Sequence, residues 1–411
     1  VRALAGFCLL AALAWAISED RRRIPWRAVL GGFGLQMALA LLLLNAPAAR
    51  QATLLASRFV ETLQAATDDG TNFVFGYLGG GRPPFAVTDP GANLVLAFKI
   101  LPLVLVISAL SSLLLYLGLL QRITGAFAWL LRRTLGIGGA LALGAATHIF
   151  LGMIEAPLLI RPYLAAMSRG ELFALMSCGM AGIAGTVMAI YAAILSPVVP
   201  DALASILIAS VISTPAALAL AALMVPFRPA PSEPAQFDHR PPAGAFDAIT
   251  RGTAEGIGPL VGIVSMLLVT IALVSLINRF LGVLPHPGGQ AITLQGLFGY
   301  GFRPVVWLIG VPWAQVPTAA SLMGTKTVLN ELVGYVALAH LPPDALSAHT
   351  RIIMTFALCG FANFGSLGIM VGGMGAMVPD RRAEIAALGL RSLVSGTMAT
   401  CMSGALAALL A

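Results

Sequence analysis

Charge is what this chain has least of. Only 10% of its 411 residues are Asp, Glu, Lys or Arg, whereas 58% are hydrophobic. Soluble domains carry roughly a quarter charged residues, so a single soluble core is excluded. Cysteine is scarce too: Cys8, Cys178, Cys359 and Cys401 all sit in apolar segments without metal-ligand spacing. They read as small core residues, not as disulfides or ligands. No His-Glu-x-x-His, no Gly-x-Ser-x-Gly and no paired intramembrane aspartates are found, so an intramembrane hydrolase has no machinery. The expectation is a protein that is not an enzyme and carries no cofactor. The net charge of +7 does not point to nucleic acid, because the Arg residues cluster in short loops, where membrane topology accounts for them.

What is present is a series of long apolar runs, expected at 2–18, 28–45, 93–119, 172–195, 202–225, 257–280, 350–376 and 386–410. Each is about long enough to cross a ~30 Å hydrocarbon core as a helix. Outer-membrane barrels are rejected, since their strands alternate apolar and polar residues. The opening "VRALAGFCLLAALAWAIS" runs straight into Glu19, Asp20 and Arg21–Arg23, which favours a retained first span over a cleaved signal. The first residue, Val1, points to an alternative start codon or a trimmed chain. An amphipathic surface helix is expected around 50–66, and the Pro-rich stretch 226–245 reads as a linker.

Charge sets the orientation. Arg21–Arg23 with Arg27, Arg122 with Arg132 and Arg133, Arg228 with Arg240 and Arg251, and Arg381 with Arg382 fall on alternate loops. The loops near Ser196–Asp201 and Leu284–Gln290 have neither Lys nor Arg. The bias fits eight spans with both termini on the periplasmic side of a bacterial inner membrane.

Two apolar regions resist this count. Residues 136–164 and 293–340 are broken by Gly, Pro and charge, and each carries a Glu beside its break, Glu155 or Glu331. Carboxylates and irregular backbone survive at membrane depth only inside protein or against a water-filled cavity. Both regions therefore read as re-entrant hairpins. A channel gives no reason for such a pair.

The two hairpins belong to a repeat. "CGMAGIAGTVM" from Cys178 matches "CGFANFGSLGIM" from Cys359 in Cys-Gly-x-Ala, in further glycines and in a later Met. By the loop charges the copies enter from opposite sides, the pattern of an inverted-repeat secondary transporter with a midplane site. Glycines beside Asn363 let the helix open, freeing backbone donors and acceptors. Asn363 and Ser366 add side-chain groups suited to a hydroxylated solute, and Glu331 can accept from sugar hydroxyls. Pairing with Lys326 is the alternative role for Glu331.

"MGTKTVLNELVGY" (Met323–Tyr335) and "CGFANFGSLGIMVGGMGAMVPDRR" (Cys359–Arg382) resemble the signature segments of the concentrative nucleoside transporter family. "GMIEAPLLIRPYL" and "LMSCGMAGIAGTVMAIY" resemble its first hairpin and fourth span. The resemblance runs from about residue 93 to the end. It implies an all-α polytopic membrane protein of about eight spans, two re-entrant hairpins and interfacial helices, moving as an elevator-type transporter and assembled as a homotrimer in the lipid bilayer. The implied divisions are 1–92 (N-terminal spans and periplasmic surface segment), 93–135 (scaffold and trimerisation span with an interfacial helix) and 136–225 (first hairpin, spans four and five). They continue as 226–256 (cytoplasmic linker and interfacial helix), 257–292 (span six) and 293–411 (second hairpin, spans seven and eight).

The resemblance implies that Glu331, Asn363 and Ser366 hold the ribose of a nucleoside, with Phe361 nearby. Where the family reads Gly-Gln-Thr-Glu in its first hairpin, this chain reads Gly152, Met153, Ile154, Glu155. Both polar base-binding side chains are replaced by apolar ones, so purine versus pyrimidine stays open. Val187 joins these residues in the expected substrate set. At the ion site, the Asn and Ser of sodium-coupled members fall at His148 and Gly182 here, with Leu151, Ile183 and Glu155 completing the expected ion-coupling set. Sodium prefers oxygen ligands, which favours coupling to H+ through His148 or Glu155. The alternative is Na+ held by carbonyls, with His148 bonded to hairpin backbone. A same-fold carrier for a different ribosyl or nucleobase-like solute is the other open reading.

Overall fold

The computed structural model describes residues 2–45, 47–86, 95–227, 242–284 and 292–410. Most of the expected linker at 226–245 and of the loop 284–290 lies outside the described residues. Every regular element among the described residues is helical. Three helices come first: α1 (Arg2–Ala16), α2 (Trp26–Asn45) and α3 (Pro47–Phe75). The last contains the surface helix expected at 50–66 and extends it at both ends.

A set of elements then appears twice in one order. The first copy starts with a span interrupted at Pro102, made of α4 (Leu96–Lys99) and α5 (Leu103–Tyr116). The amphipathic α6 (Leu119–Leu135) follows. Next comes a hairpin of α7 (Gly139–Thr147), α8 (Glu155–Leu159) and α9 (Arg161–Leu164). A broken span of α10 (Arg169–Ala181) and α11 (Gly185–Leu195) leads into the buried α12 (Ala202–Met224). The second copy runs α13 (Ala245–Leu281), α14 (Leu294–Leu308), α15 (Val316–Val328), α16 (Glu331–Ala339), α17 (Ala348–Leu358), α18 (Phe364–Met377) and α19 (Arg382–Leu410). The chain is an all-helical polytopic membrane protein. Among the described residues six helical stretches have the length and hydropathy to cross a bilayer, with Arg2–Ala16 and Phe364–Met377 as shorter apolar helices.

Two boundaries differ from the sequence reading. The apolar stretch 293–340 divides in two. α14 is a separate helix capped by Thr293 (3.0 Å to the Gly296 N–H), and the hairpin proper is α15 with α16. The left-handed Gly310 (φ +121°) turns the chain between them. "LFGYGFRPVVW" is apolar overall, which conceals that it is a helix of its own packed against α15. The boundary expected at 256 also falls inside α13, which runs unbroken past Pro259. Pro removes one backbone donor from a helix, and the flanking residues carry the helix through it.

The two broken spans cross at their breaks. The Phe361 N–H donates to the Gly182 carbonyl at 3.1 Å. Gly360 is required by this crossing: a Cβ there would lie 2.9 Å from both the Met180 and Ala181 carbonyl oxygens and 2.7 Å from a Thr400 methyl. Its backbone is not left-handed, so the demand is for space, not for turn geometry. Gly360→Ala is expected to cost about 1–3 kcal/mol, the usual penalty of overpacking against backbone. A lowered melting temperature of the detergent-solubilised protein checks this, and an unchanged one contradicts the crossing.

At one end of the bundle, charged groups tie the copies to the first helices. Arg169 and Arg391 reach Glu19 at 3.0 and 2.8 Å. Arg381 pairs with Glu384 at 2.8 Å and donates to the Leu164 and Met167 carbonyls that end the first hairpin. Hydrogen bonding from Arg169 holds the Glu19 carboxyl below the ordinary carboxylate range.

Candidate substrate and ion site

Between the hairpins and the broken spans lies a cavity of about 350 Å³. Lining it is Glu331, the first residue of α16 at the tip of the second hairpin. The helix starts there because Asn330 is its N-cap, the side-chain oxygen accepting from the Val333 N–H at 3.0 Å. Glu331 is only 4% exposed. No Lys or Arg among the described residues forms an ion pair with it. Lys326, the alternative partner, donates instead to the Ala357 carbonyl at 3.0 Å and to Thr400 Oγ1 at 3.2 Å. The ammonium therefore caps the C-terminal end of α17, where helix carbonyls lack partners.

The carboxylate is held by two neutral donors. Tyr191 Oη, from α11, donates to Oε1 at 2.7 Å, and Asn363 Nδ2 donates to Oε2 at 2.9 Å. Asn363 serves twice. Its Oδ1 accepts from the Ser366 N–H at 2.7 Å, which caps α18. The cap fixes which end of the amide faces the carboxylate. An unneutralised buried carboxylate is costly unless hydrogen-bonded, and here Tyr191, Asn363 and the Glu331 backbone N–H all donate to it.

Glu331, Asn363, Ser366, Phe361, Glu155, Met153, Ile154 and Val187 all line this one cavity. Met153 and Ile154 come from the tip of the first hairpin, so two apolar side chains share the lining with the polar groups of Glu331, Asn363 and Ser366. Tyr191, Thr186, Asn330 and Thr270 also line it, as does a wall of α13 formed by Ile263, Met266 and Leu267. The sequence reading did not include these. A signal for Tyr191 existed: it follows Val187 by four residues, which places both on one helical face.

The expected ion set is divided. Glu155 lines the cavity, whereas His148, Leu151, Gly182 and Ile183 lie outside its lining. His148 is 3% exposed and packs against α10, with its Cε1 3.2 Å from where a Gly179 Cβ would stand. Among the described residues its Nε2 has no hydrogen-bond partner, and neither does the buried Ser210 Oγ. At Gly182 a Cβ would find the Ser210 Oγ at 3.5 Å and the His148 carbonyl at 3.6 Å, ordinary contacts. The space beside Gly182 is thus open to a small side chain and bordered by oxygen.

Comparison with known proteins follows this geometry. Residues 5–78 match the family description "Na+ dependent nucleoside transporter N-terminus", 97–198 "Nucleoside recognition", and 205–408 "Na+ dependent nucleoside transporter C-terminus". The chain is similar to an uncharacterized transporter of Haemophilus influenzae, 38% identical with 98% of this chain and 96% of that protein covered. It is 33% identical to the nucleoside permease NupC of Helicobacter pylori, with 98% and 96% covered. Among solved structures, CNTnw in an inward-facing substrate-bound state superposes with a TM-score of 0.89 at 36% identity, over 100% of this chain and 98% of that one.

Proposed function

The chain belongs to the concentrative nucleoside transporter family, and on that premise we propose that it imports nucleosides across the bacterial inner membrane as a cation-coupled symporter. The observation that carries this is the Glu331 carboxylate, buried at the edge of a nucleoside-sized cavity and oriented by Tyr191 and Asn363. A carboxylate so held is an acceptor for ribose hydroxyls, with Ser366 beside it. The base then faces Met153, Ile154 and Val187. Apolar contacts select by shape and stacking, not by the hydrogen-bonding edge of one base, so both purine and pyrimidine nucleosides are accepted. Radiolabelled uptake of uridine, cytidine, adenosine and inosine into proteoliposomes tests this. A strict preference for one base contradicts it, and no uptake of any of the four favours another ribosyl solute.

For coupling we favour the proton. An imidazole and a glycine replace two oxygen-bearing side chains at the ion position, and sodium prefers oxygen. Of His148 and Glu155, Glu155 is the carrier we assign, because it lines the cavity and His148 does not. Glu155→Gln is expected to abolish accumulation driven by a pH gradient while substrate exchange at equal pH continues. Loss of both activities contradicts a carrier role. The sodium reading is supported by the family description and by the carbonyls around Gly182. Uptake at clamped membrane potential decides between them: sodium-dependent, pH-independent uptake overturns proton coupling. A homotrimeric assembly, read from the family resemblance, is tested by mass photometry in detergent or nanodiscs.

A further inference from the structure

We infer that Lys326 is a fixed cation: its ammonium fills, at the end of α17, the place that the matching hairpin leaves to an exchangeable ion at the end of α10. The match to an exchangeable ion rests on the coupling reading proposed above; the fixed charge does not. Lys326 is fully buried and, among the described residues, forms no ion pair with a carboxylate. A buried charge without a counter-ion is costly unless dipoles take the place of water. Here they are those of α17, whose aligned peptides leave partial negative charge at its C-terminal end.

Both arms of the second hairpin reach that end. Lys326 Nζ, from α15, donates to the Ala357 carbonyl at 3.0 Å, and Tyr335 Oη, from α16, donates to the Thr355 carbonyl at 2.9 Å. Thr400 Oγ1 of α19 is the second acceptor for the ammonium, at 3.2 Å. Its own proton goes to the Thr397 carbonyl at 3.0 Å, so Nζ is the donor in both of its bonds. Beyond Leu358 the chain opens, meets the break of the first copy through the Phe361 N–H, and closes again at Asn363, the cap of α18. The ammonium thus anchors the last turn before the opening.

The first copy is built alike up to the nitrogen. Gly179 and Gly360 are matched glycines of the repeat. His148, at the end of α7, sets its Cε1 3.2 Å from where a Gly179 Cβ would stand. Thr400, the ammonium's acceptor, sets its methyl 2.7 Å from where a Gly360 Cβ would stand. Each hairpin therefore brings one nitrogen-bearing side chain to the same glycine of its broken span, the first directly and the second through Thr400. In the first copy the imidazole Nε2 has no partner among the described residues; in the second the charge is covalently attached. A cation that cannot leave holds α17 in one state, so one copy exchanges its ion while the other keeps its own.

Chemical rescue of the purified full-length protein is the test. Lys326→Ala leaves space for a small primary ammonium, and ethylammonium is the probe. By binding the folded state it is expected to raise the melting temperature of Lys326→Ala relative to wild type in the same solution. Ethanol, which is neutral, and tetraethylammonium, which is bulky and has no N–H, are expected to give no such rise. Nucleoside affinity, measured at equilibrium without a gradient, is expected to fall about 10-fold or more in Lys326→Ala and to recover at least about 3-fold with ethylammonium, as befits hydrogen bonds made by a charged group. No rescue of a folded Lys326→Ala, or equal rescue by ethanol, overturns the inference. Lys326→Gln and Lys326→Met keep much of the side-chain volume and supply the test if Lys326→Ala does not fold. Both are expected to lose affinity to a similar degree; wild-type affinity in Lys326→Gln shows that a neutral donor suffices and overturns the fixed charge. Melting needs no ligand and binding needs no gradient, which separates the levels. Thermal rescue without binding of any nucleoside leaves the fixed cation standing and removes the nucleoside reading.

Discussion

Replacing Glu331 with Gln is expected to reduce nucleoside uptake by at least about 100-fold while leaving expression and melting temperature close to wild type. The isostere keeps the volume and removes the charge. Hydrogen bonds to a charged group contribute about 1.5–3 kcal/mol each, and on the proposed reading two such bonds to the sugar weaken at once. There is also a local conflict. The carboxylate accepts from Tyr191 Oη and Asn363 Nδ2, but a glutamine places its own –NH2 against one of these donors. Tyr191 can rotate its hydroxyl and accept; Asn363 cannot, because its oxygen is committed to the Ser366 N–H. The glutamine amide is thus forced into one orientation, with its nitrogen toward Tyr191. Transport assays alongside thermal melts check this, and near-normal uptake removes Glu331 from the substrate site.

The second large effect concerns the driving ion. The double variant His148→Asn with Gly182→Ser is expected to add a sodium-dependent component to uptake, raising the response to an imposed sodium gradient by about 10-fold or more, with the proposed carrier Glu155 left in place. It restores two side-chain oxygens of the kind a hard cation selects. The fold has room for them. The nearest atom to a Cβ at position 182 is the Ser210 Oγ at 3.5 Å, and the backbone there is extended with φ −106°. Uptake by the variant with sodium and proton gradients imposed separately provides the measurement. Continued indifference to sodium would show that the oxygen count at these two positions does not set the ion.

Much of this arrangement was legible in the sequence, and the reasons are physical. A Glu beside a break in an apolar run is expensive in a bilayer, so Glu155 and Glu331 mark the hairpin tips. Asn363 could be placed at an opened helix because the glycines beside it in an otherwise apolar span let the backbone part. What the sequence could not supply were contacts between distant segments. Tyr191 looks like an ordinary core aromatic until α11 is laid beside α16. Lys326 stands five residues before Glu331 and suggests an ion pair, yet the break at Leu329 and Asn330 turns it away toward Ala357 and Thr400. The length of α13 was hidden because its first turns carry Asp247, Arg251 and Glu255 and so lack the apolar run that marks a span, and α14 was hidden because an amphipathic helix rich in aromatics resembles membrane interior.

The hydrogen bond from the Phe361 N–H to the Gly182 carbonyl has a consequence for leakage. Each of these residues belongs to an interrupted stretch of backbone, one next to the sugar-type groups and the other next to the ion position. Because one peptide group of each interruption is spent on the other, neither can rewind or widen alone without leaving a buried donor or acceptor unmatched. A carrier wasting its gradient must let the ion side rearrange while the solute side stays empty. On the proposed coupling reading that slip would break the shared bond, so tight stoichiometry is expected to rest on the backbone and not on any one side chain.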